Sequence, residues 1–151
     1  MKFKVIILLL FFSKLSLGQI DDSKFRSIVL NKSIVGKKFT FGECNQRGGQ
    51  ETTLIYLGSV KSRKGKTYKI MNSIWTWGMS CRATSRILIF NDQNQYIGNY
   101  YIFDSCDLPT KIENGYLIFK NVSNGCDRKM ETTINLKNGI PKSVLGNEFE
   151  S

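Results

Sequence analysis

Histidine is absent from the 151 residues of this chain, which removes whole classes of chemistry. Without an imidazole there is no Ser-His-Asp or Cys-His nucleophile system and no histidine-ligated metal site. Proline is scarce, with 2 residues, and together with an apolar share of 41% this argues against a disordered or fibrous chain. No intact catalytic motif is present either, so we favour a non-enzymatic protein with no catalytic residue, cofactor or metal ion.

Long apolar runs are also missing, apart from Val5–Phe12 near the start. This run follows a basic segment and precedes the small residues Ser16 and Gly18, the pattern of a signal peptide. At about 1.5 Å per residue it is too short to span a bilayer. We therefore predict that residues 1–18 are a removable signal peptide and that residues 19–151 form one domain without a transmembrane segment.

Export sets the charge and the redox state of the mature chain. Lys2, Lys4 and Lys14 leave with the signal peptide, so the formal net charge falls from +10 to +7. We expect a soluble protein in the periplasm or the extracellular medium, where disulfides persist. The 4 cysteines would then form two disulfides, with Cys44–Cys81 and Cys106–Cys126 as the preferred pairing. No C-x-x-C pair is present, which disfavours zinc binding and thiol redox catalysis.

Most of the domain has the sequence pattern of β-strands. A short amphipathic helix is predicted first, from Asp21-Asp22-Ser23 and the apolar residues that follow it. Alternating polar and apolar residues then predict about nine strands. They are Lys38–Phe41, Thr52–Leu57, Thr67–Ile74, Arg86–Phe90, Tyr96–Phe103, Leu108–Glu113, Tyr116–Phe119, Thr132–Leu136 and Ile140–Leu145. The apolar runs Ile87–Phe90 and Tyr116–Phe119 predict strands covered on both faces.

The connections between these strands fall into two groups. Four are tight turns, among which Asn-Gly pairs favour type I′ geometry: Lys61–Lys66, Asn91–Asn94, Asn114-Gly115 and Asn138-Gly139. Four are irregular, and each holds one cysteine: Cys44–Gln50, Trp75–Ala83, Asp104–Asp107 and Asn121–Lys129. In an up-and-down meander the two groups lie at opposite ends. We predict an all-β meander closing into a small barrel or rolled sheet, with a two-sheet sandwich as the alternative.

The cysteine-bearing end holds the predicted binding residues. Trp75 and Trp77 share a face of an extended chain, and Arg82 would add a cationic rim. We assign binding to these three residues and to Asp104 and Asp107. The alternative interpretation is structural, with both indoles covering the end of the core and the aspartates capping their own loops.

The opposite end is predicted to carry a basic patch, made by Lys61, Arg63, Lys64 and Lys66. An anionic polymer or a lipid headgroup would suit it. No aromatic residue is interleaved with these cations, which disfavours nucleic acid. A solvated turn whose charges discourage edge pairing is the alternative.

Three functional hypotheses remain open. The preferred one is an exported binding domain whose disulfide-tied loops hold a macromolecular or amphipathic ligand, which the basic charge allows to be anionic. An envelope inhibitor or immunity-type protein that binds an acidic toxin or hydrolase is the alternative. The third is a carboxylate-dependent glycan hydrolase, using two of the acidic residues at the cysteine-bearing end: Glu43, Glu51, Asp104, Asp107 and Asp127.

Overall fold

The protein is all-β with one short helix, as the sequence predicts. A computed structural model describes residues 22–120 and 131–151. Its elements are α1 (Ser23–Lys32), β1 (Lys38–Asn45), β2 (Gly48–Lys61), β3 (Thr67–Trp77), β4 (Arg82–Asn91), β5 (Tyr96–Ile102), a 3-10 helix (Ser105–Asp107), β6 (Lys111–Glu113), β7 (Tyr116–Lys120), β8 (Glu131–Asn135), β9 (Ser143–Val144) and β10 (Asn147–Glu150). The predicted signal peptide, the connection Asn121–Lys129 and Cys126 lie outside the described residues.

The strands form two antiparallel sheets. The larger has seven strands in the order β1-β2-β3-β4-β5-β10-β9, and the smaller has the order β6-β7-β8. Within residues 22–120 and 131–151 the larger sheet does not close into a barrel, because β1 and β9 occupy its opposite edges. Of the two predicted arrangements, the two-sheet one is the arrangement found.

Strand β4 at the centre of the larger sheet is covered on both faces, which confirms the prediction from its apolar run Ile87–Phe90. Ile87 and Ile89 of β4 point into a core that includes Leu117 and Phe119 of the smaller sheet. Leu88 and Phe90 alternate with them and belong to a second core beneath α1. We call this second face the helix-side face. Odd-numbered β3 residues such as Met71 lie on it, and even-numbered ones such as Ile70 face the smaller sheet.

Helix α1 is held against the sheet by apolar contacts and by one buried acidic group. Val29 and Leu30 are its buried residues. Asp22, within the predicted helix start Asp21-Asp22-Ser23, is the N-cap residue, but its carboxylate makes no capping hydrogen bond to the helix backbone. It lies instead 2.5 Å from the Arg26 guanidinium and 3.4 Å from that of Arg86 in β4. Asp22 therefore fastens the start of the helix to the sheet.

In two of the predicted irregular connections the strands extend further than expected, and only a short turn remains between them. β1 runs through Cys44 to Asn45 and pairs with β2 along its whole length, so a tight turn at residues 46–47 replaces the predicted loop Cys44–Gln50. β3 extends to Trp77 and pairs with β4 as far as Arg82. Polar and glycine residues weaken the strand pattern locally, but each ladder continues because the neighbouring strand supplies backbone partners.

The Asn-Gly turns have different outcomes. Asn114 and Gly115 both have positive φ, 51° and 78°, as a type I′ turn requires. Asn138-Gly139 was predicted to join two paired strands, and this prediction is wrong. The chain instead continues to β10, which pairs with β5, and the Phe149 and Tyr100 rings lie 5.2 Å apart. Strand β5 would otherwise have an unpaired edge, which the C-terminal residues cover.

The buried Tyr100 gives a prediction about alkaline stability. Its hydroxyl donates a hydrogen bond to the Pro141 carbonyl, and burial raises its pKa well above the ordinary value of 10.0. Its contribution is fully present below about pH 10 and is lost as pH rises further, because the unfolded chain ionises first. Tyr100→Phe should lower the free energy of unfolding by about 1 kcal/mol near neutral pH.

The same variant should also lose less stability between about pH 9 and about pH 11 than the wild type does. Urea unfolding at several pH values measures both quantities. Tyr56 and Tyr96, whose pKa values burial also raises, remain in both proteins and serve as the internal control. Parallel pH profiles for the two proteins would contradict the prediction.

Candidate ligand-binding surface at the disulfide end

A disulfide joins the two hairpins at one end of the larger sheet. Cys44 of β1 is bonded to Cys81 in the β3–β4 turn, with Cα atoms 5.8 Å apart, which confirms the predicted pairing. Cys106 is also disulfide-bonded, and its predicted partner Cys126 lies outside the described residues. Disulfides of this kind persist in oxidising compartments.

Cross-strand pairing sets one row of side chains across this end. Glu43 pairs with Gln50, Gln50 with Trp77, and Trp77 with Arg82. Directly opposed residues of antiparallel strands share a face, so these four residues lie side by side on the helix-side face. Trp75 lies on the same face one row further in. We call these five residues the indole surface.

The two indoles form its centre. Trp75 and Trp77 are stacked, with ring centroids 5.7 Å apart and an angle of 26° between the planes. Trp75 is partly buried, whereas Trp77 is 37% exposed. Together with Gly49, Gln50 and Gly78 they line an open depression of about 480 Å³. Small-ligand sites typically measure about 300–1,000 Å³.

Helix α1 stops short of this surface. Its first turn places Phe25 against Phe41 of β1, with stacked rings 4.4 Å apart. Phe41 pairs with Thr52, and Thr52 pairs with Trp75. The helix therefore covers Phe41 of this cross-strand row. Within the part of the chain that the structure describes, the indole of Trp75 has a buried Nε1 with no hydrogen-bond acceptor.

The glycines at the edge of the depression fix the course of the backbone there. Gly49 has φ of +109° and Gly78 has φ of +75°, conformations that L side chains rarely adopt. The Gly78 N–H donates to the Gly49 carbonyl at 3.2 Å, which ties the two hairpins together. A Cβ at Gly49 would lie 2.5 Å from the Glu43 carbonyl oxygen, so this position requires glycine.

No protein-family model matches this sequence, and comparisons with curated proteins and with solved structures find no match either. Within residues 22–120 and 131–151, no helix is long and apolar enough to cross a membrane. The same residues contain no cluster of three or more cysteine, aspartate or glutamate residues placed to hold a metal ion.

The structure separates the predicted acidic residues from the indoles. Asp104 and Asp107 belong to the 3-10 segment, where the Asp104 carboxylate accepts a hydrogen bond from the Cys106 N–H at 2.9 Å. Ser105 and Cys106 of this segment line a cavity with Asn72 and Ile74, on the face opposite the indole surface. The loop-capping role considered for Asp104 is thus observed, and a binding role for Asp104 and Asp107 stays a prediction.

The other carboxylates at this end do not form a close pair across the sheet. Glu43 pairs with Gln50 on the helix-side face, whereas Glu51 is the next residue of β2 and points to the opposite face. Asp127 lies outside the described residues. The glycan-hydrolase hypothesis requires two facing carboxylates, and the backbone directs Glu43 and Glu51 to opposite sides.

The predicted basic patch lies at the other end of the sheet. Lys61 ends β2, and Arg63, Lys64 and Lys66 belong to the β2–β3 turn. Lys61 and Arg63 line a second depression together with Lys137, a third cation from the turn after β8 that is not among the predicted patch residues. Gln50 of the indole surface is likewise not among the predicted binding residues. The strand register pairs it directly with Trp77.

Proposed function

We propose that this protein is a non-enzymatic binding module that holds a glycan against the indole surface. The observation that carries the proposal is the pair of stacked indoles on an open face of a rigid sheet. The ligand class follows from the shape and chemistry of that face.

An indole face is a large apolar platform with negative charge density above the ring. A pyranose ring presents a face of C–H groups, which are weakly positive, and a rim of hydroxyl groups. Such a ring can lie flat on the indole of Trp77, which is 37% exposed. The half-buried Trp75 supports Trp77 from behind and holds its orientation.

Polar groups flank the platform on both sides. Gln50 offers an amide that both donates and accepts, Arg82 offers guanidinium donors, and Glu43 offers a carboxylate acceptor. A glycan needs both donors and acceptors because each hydroxyl does both. An acyl chain would leave these polar groups without partners, which costs free energy.

The Cys44–Cys81 disulfide supports a site of action outside the cytoplasm, because such bonds persist in oxidising compartments. The predicted signal peptide agrees with this location. We therefore propose an exported protein that recognises glycans in the periplasm or the extracellular medium.

Trp77→Ala should reduce glycan affinity by at least about tenfold, because it removes the platform. Wild-type protein is first screened on a glycan array, and the strongest glycan is then titrated into both proteins by calorimetry. Trp77 is partly exposed, so the variant should unfold at a temperature close to that of the wild type.

Two further variants sharpen the test. Phe103→Ala removes an aromatic ring that is fully exposed and outside the depression, and it should leave affinity unchanged. Trp77→Phe keeps a smaller platform and should bind with intermediate affinity. Equal losses in the Trp77→Ala and Phe103→Ala variants, or hydrolysis of the glycan during titration, would overturn the proposal.

A further inference from the structure

Three turns meet at the end of the protein opposite the indole surface. They are the β2–β3 turn, the β6–β7 turn and the turn that follows β8. The Arg63 N–H donates to the Lys137 carbonyl at 2.7 Å, and the Leu136 N–H donates to the Gly115 carbonyl at 3.0 Å. These backbone bonds hold the turns in one arrangement although they are far apart in sequence.

The turns enclose a depression of about 450 Å³, which we call the basic depression. It is lined by Ser59, Val60, Lys61, Ser62, Arg63, Asn114, Gly115 and Lys137. Three of these residues are cationic and none is acidic. Lys64 and Lys66, on the same turn as Arg63, add positive charge nearby.

The cations of the basic depression are not neutralised by neighbours. The ion pairs among the described residues involve Arg26, Arg86, Lys111 and Lys120, and none of the lining residues. The Arg63 guanidinium donates to the Asn138 side-chain oxygen at 3.3 Å, which orients it and leaves its other N–H groups available. The Lys137 ammonium lies 4.8 Å from the centre of the Tyr116 ring.

Ser62 adds a hydroxyl to this cationic lining. It is buried, with 5% of its surface exposed, and its Oγ has no hydrogen-bond partner within the described residues. Its backbone N–H donates to Lys66 and its carbonyl accepts from Gly65, so the residue is held in place. Ser62 is among the lining residues, and its hydroxyl is able to donate as well as accept a hydrogen bond.

We propose that the basic depression binds a phosphate or sulfate ester group of an anionic ligand. A guanidinium fork matches two oxygens of such a group, and the two ammonium groups supply the remaining charge. The proposal is independent of the indole surface, which lies at the other end of β2. It requires neither an aromatic platform nor the Cys44–Cys81 disulfide.

A soluble ester fits these observations better than a membrane surface or a nucleic acid. None of the large apolar side chains that the structure shows exposed lines the basic depression, so it lacks the apolar groups that insert into a bilayer. Tyr116, the neighbouring aromatic ring, is covered by the Lys137 ammonium, so a base could not stack there.

The test compares two triple variants with the same loss of charge. The lining variant carries Lys61→Gln, Arg63→Gln and Lys137→Gln, and the matched control carries Lys24→Gln, Lys37→Gln and Lys38→Gln. The probes are inorganic phosphate, followed by phosphorus NMR, and a heparin tetrasaccharide, followed by calorimetry. We expect the lining variant to bind the tetrasaccharide at least about tenfold more weakly, and the control to change by less than about threefold.

A single variant keeps the test valid if the lining triple variant does not fold. Lys61→Gln removes a side chain that makes no hydrogen bond or ion pair among the described residues, and it should weaken binding by about threefold. Equal losses in the two triple variants would overturn the proposal, since net charge alone would then explain binding. Binding to phosphatidylcholine vesicles containing phosphatidylglycerol, without binding to either soluble probe, would also overturn it.

Discussion

Removing the Cys44–Cys81 disulfide should lower the free energy of unfolding by about 4 kcal/mol. The bond closes a loop across a sequence separation of 37 residues. Without it the unfolded chain gains the conformational freedom that the closed loop denies it. Few single contacts in a domain of this size contribute as much, because total stabilities are about 5–15 kcal/mol.

The native structure should survive the loss. β1 pairs with β2 over eight residue pairs, and these hydrogen bonds do not depend on the disulfide. The test is urea unfolding of the double variant Cys44→Ser with Cys81→Ser, which leaves the Cys106 disulfide intact. A change below about 1 kcal/mol would show that the bond does little to restrict the unfolded chain.

The same double variant should bind glycan more weakly. The Cys44 Sγ lies 3.3 Å from the Gly78 carbonyl oxygen. The disulfide therefore helps to hold Gly78 at the edge of the depression. Without the disulfide this edge should be more mobile, and ordering it on binding should reduce the affinity for glycan. Calorimetric titration of the folded variant measures this effect separately from stability.

Replacing Asp22 by asparagine should destabilise the protein by about 3 kcal/mol, the second largest effect we expect. The Asp22 side chain is 7% exposed and those of Arg26 and Arg86 are each 14% exposed. Asp22→Asn removes the only carboxylate that pairs with these two guanidinium groups among the described residues. Two nearly buried positive charges would then face each other without compensation.

The protein contains a matched control for this prediction. Glu113 pairs with Lys111 at 2.8 Å, but both side chains are about half exposed, at 56% and 48%. Glu113→Gln removes one carboxylate from a salt bridge in water and should leave the free energy of unfolding almost unchanged. Thermal and urea unfolding of both variants give the comparison. Similar values for Asp22→Asn and Glu113→Gln would show that burial of the Asp22 group has no special effect.

Much of the fold is encoded in short stretches of sequence. The alternation of Lys38–Phe41 predicts β1, the apolar run Ile87–Phe90 predicts a strand covered on both faces, and Asn114-Gly115 predicts a type I′ turn. Each of these features depends on neighbouring residues alone. The segment Asp21-Asp22-Ser23 predicts a helix start in the same local way, and α1 begins at Ser23.

The rest depends on partners that are distant in sequence. Trp77 is in β3 because Gln50 and Arg82 extend the ladders on either side of it. The Asp22 carboxylate binds Arg86, which lies 64 residues away, as well as Arg26, and makes no capping hydrogen bond. β10 forms because β5 has an edge to pair with. A local sequence pattern depends on neighbouring residues alone, so it does not predict contacts between distant segments.

In the candidate sites, too, some residues can be predicted from local sequence and others depend on distant strands. Composition and spacing found Trp75, Trp77 and Arg82, and also the cations of the β2–β3 turn. They did not find Gln50 or Lys137, because nothing in their local sequence distinguishes them from other polar residues. Asp104 and Asp107 were grouped with the indoles by their position at one end of the meander. The two faces of the sheet separate them, and face is decided by register.

Tryptophan fluorescence tests the central claim most directly, because the 2 tryptophans of the chain both belong to the indole surface. Wild-type protein is titrated with cellotetraose, chitotetraose and maltotetraose, and emission and heat are recorded on matched samples. We predict a saturable change in indole emission that follows the calorimetric binding curve of at least one of these oligosaccharides and is absent with Trp77→Ala. Calorimetric binding without a change in emission, or no binding of any of the three, would contradict a glycan site on the indole surface.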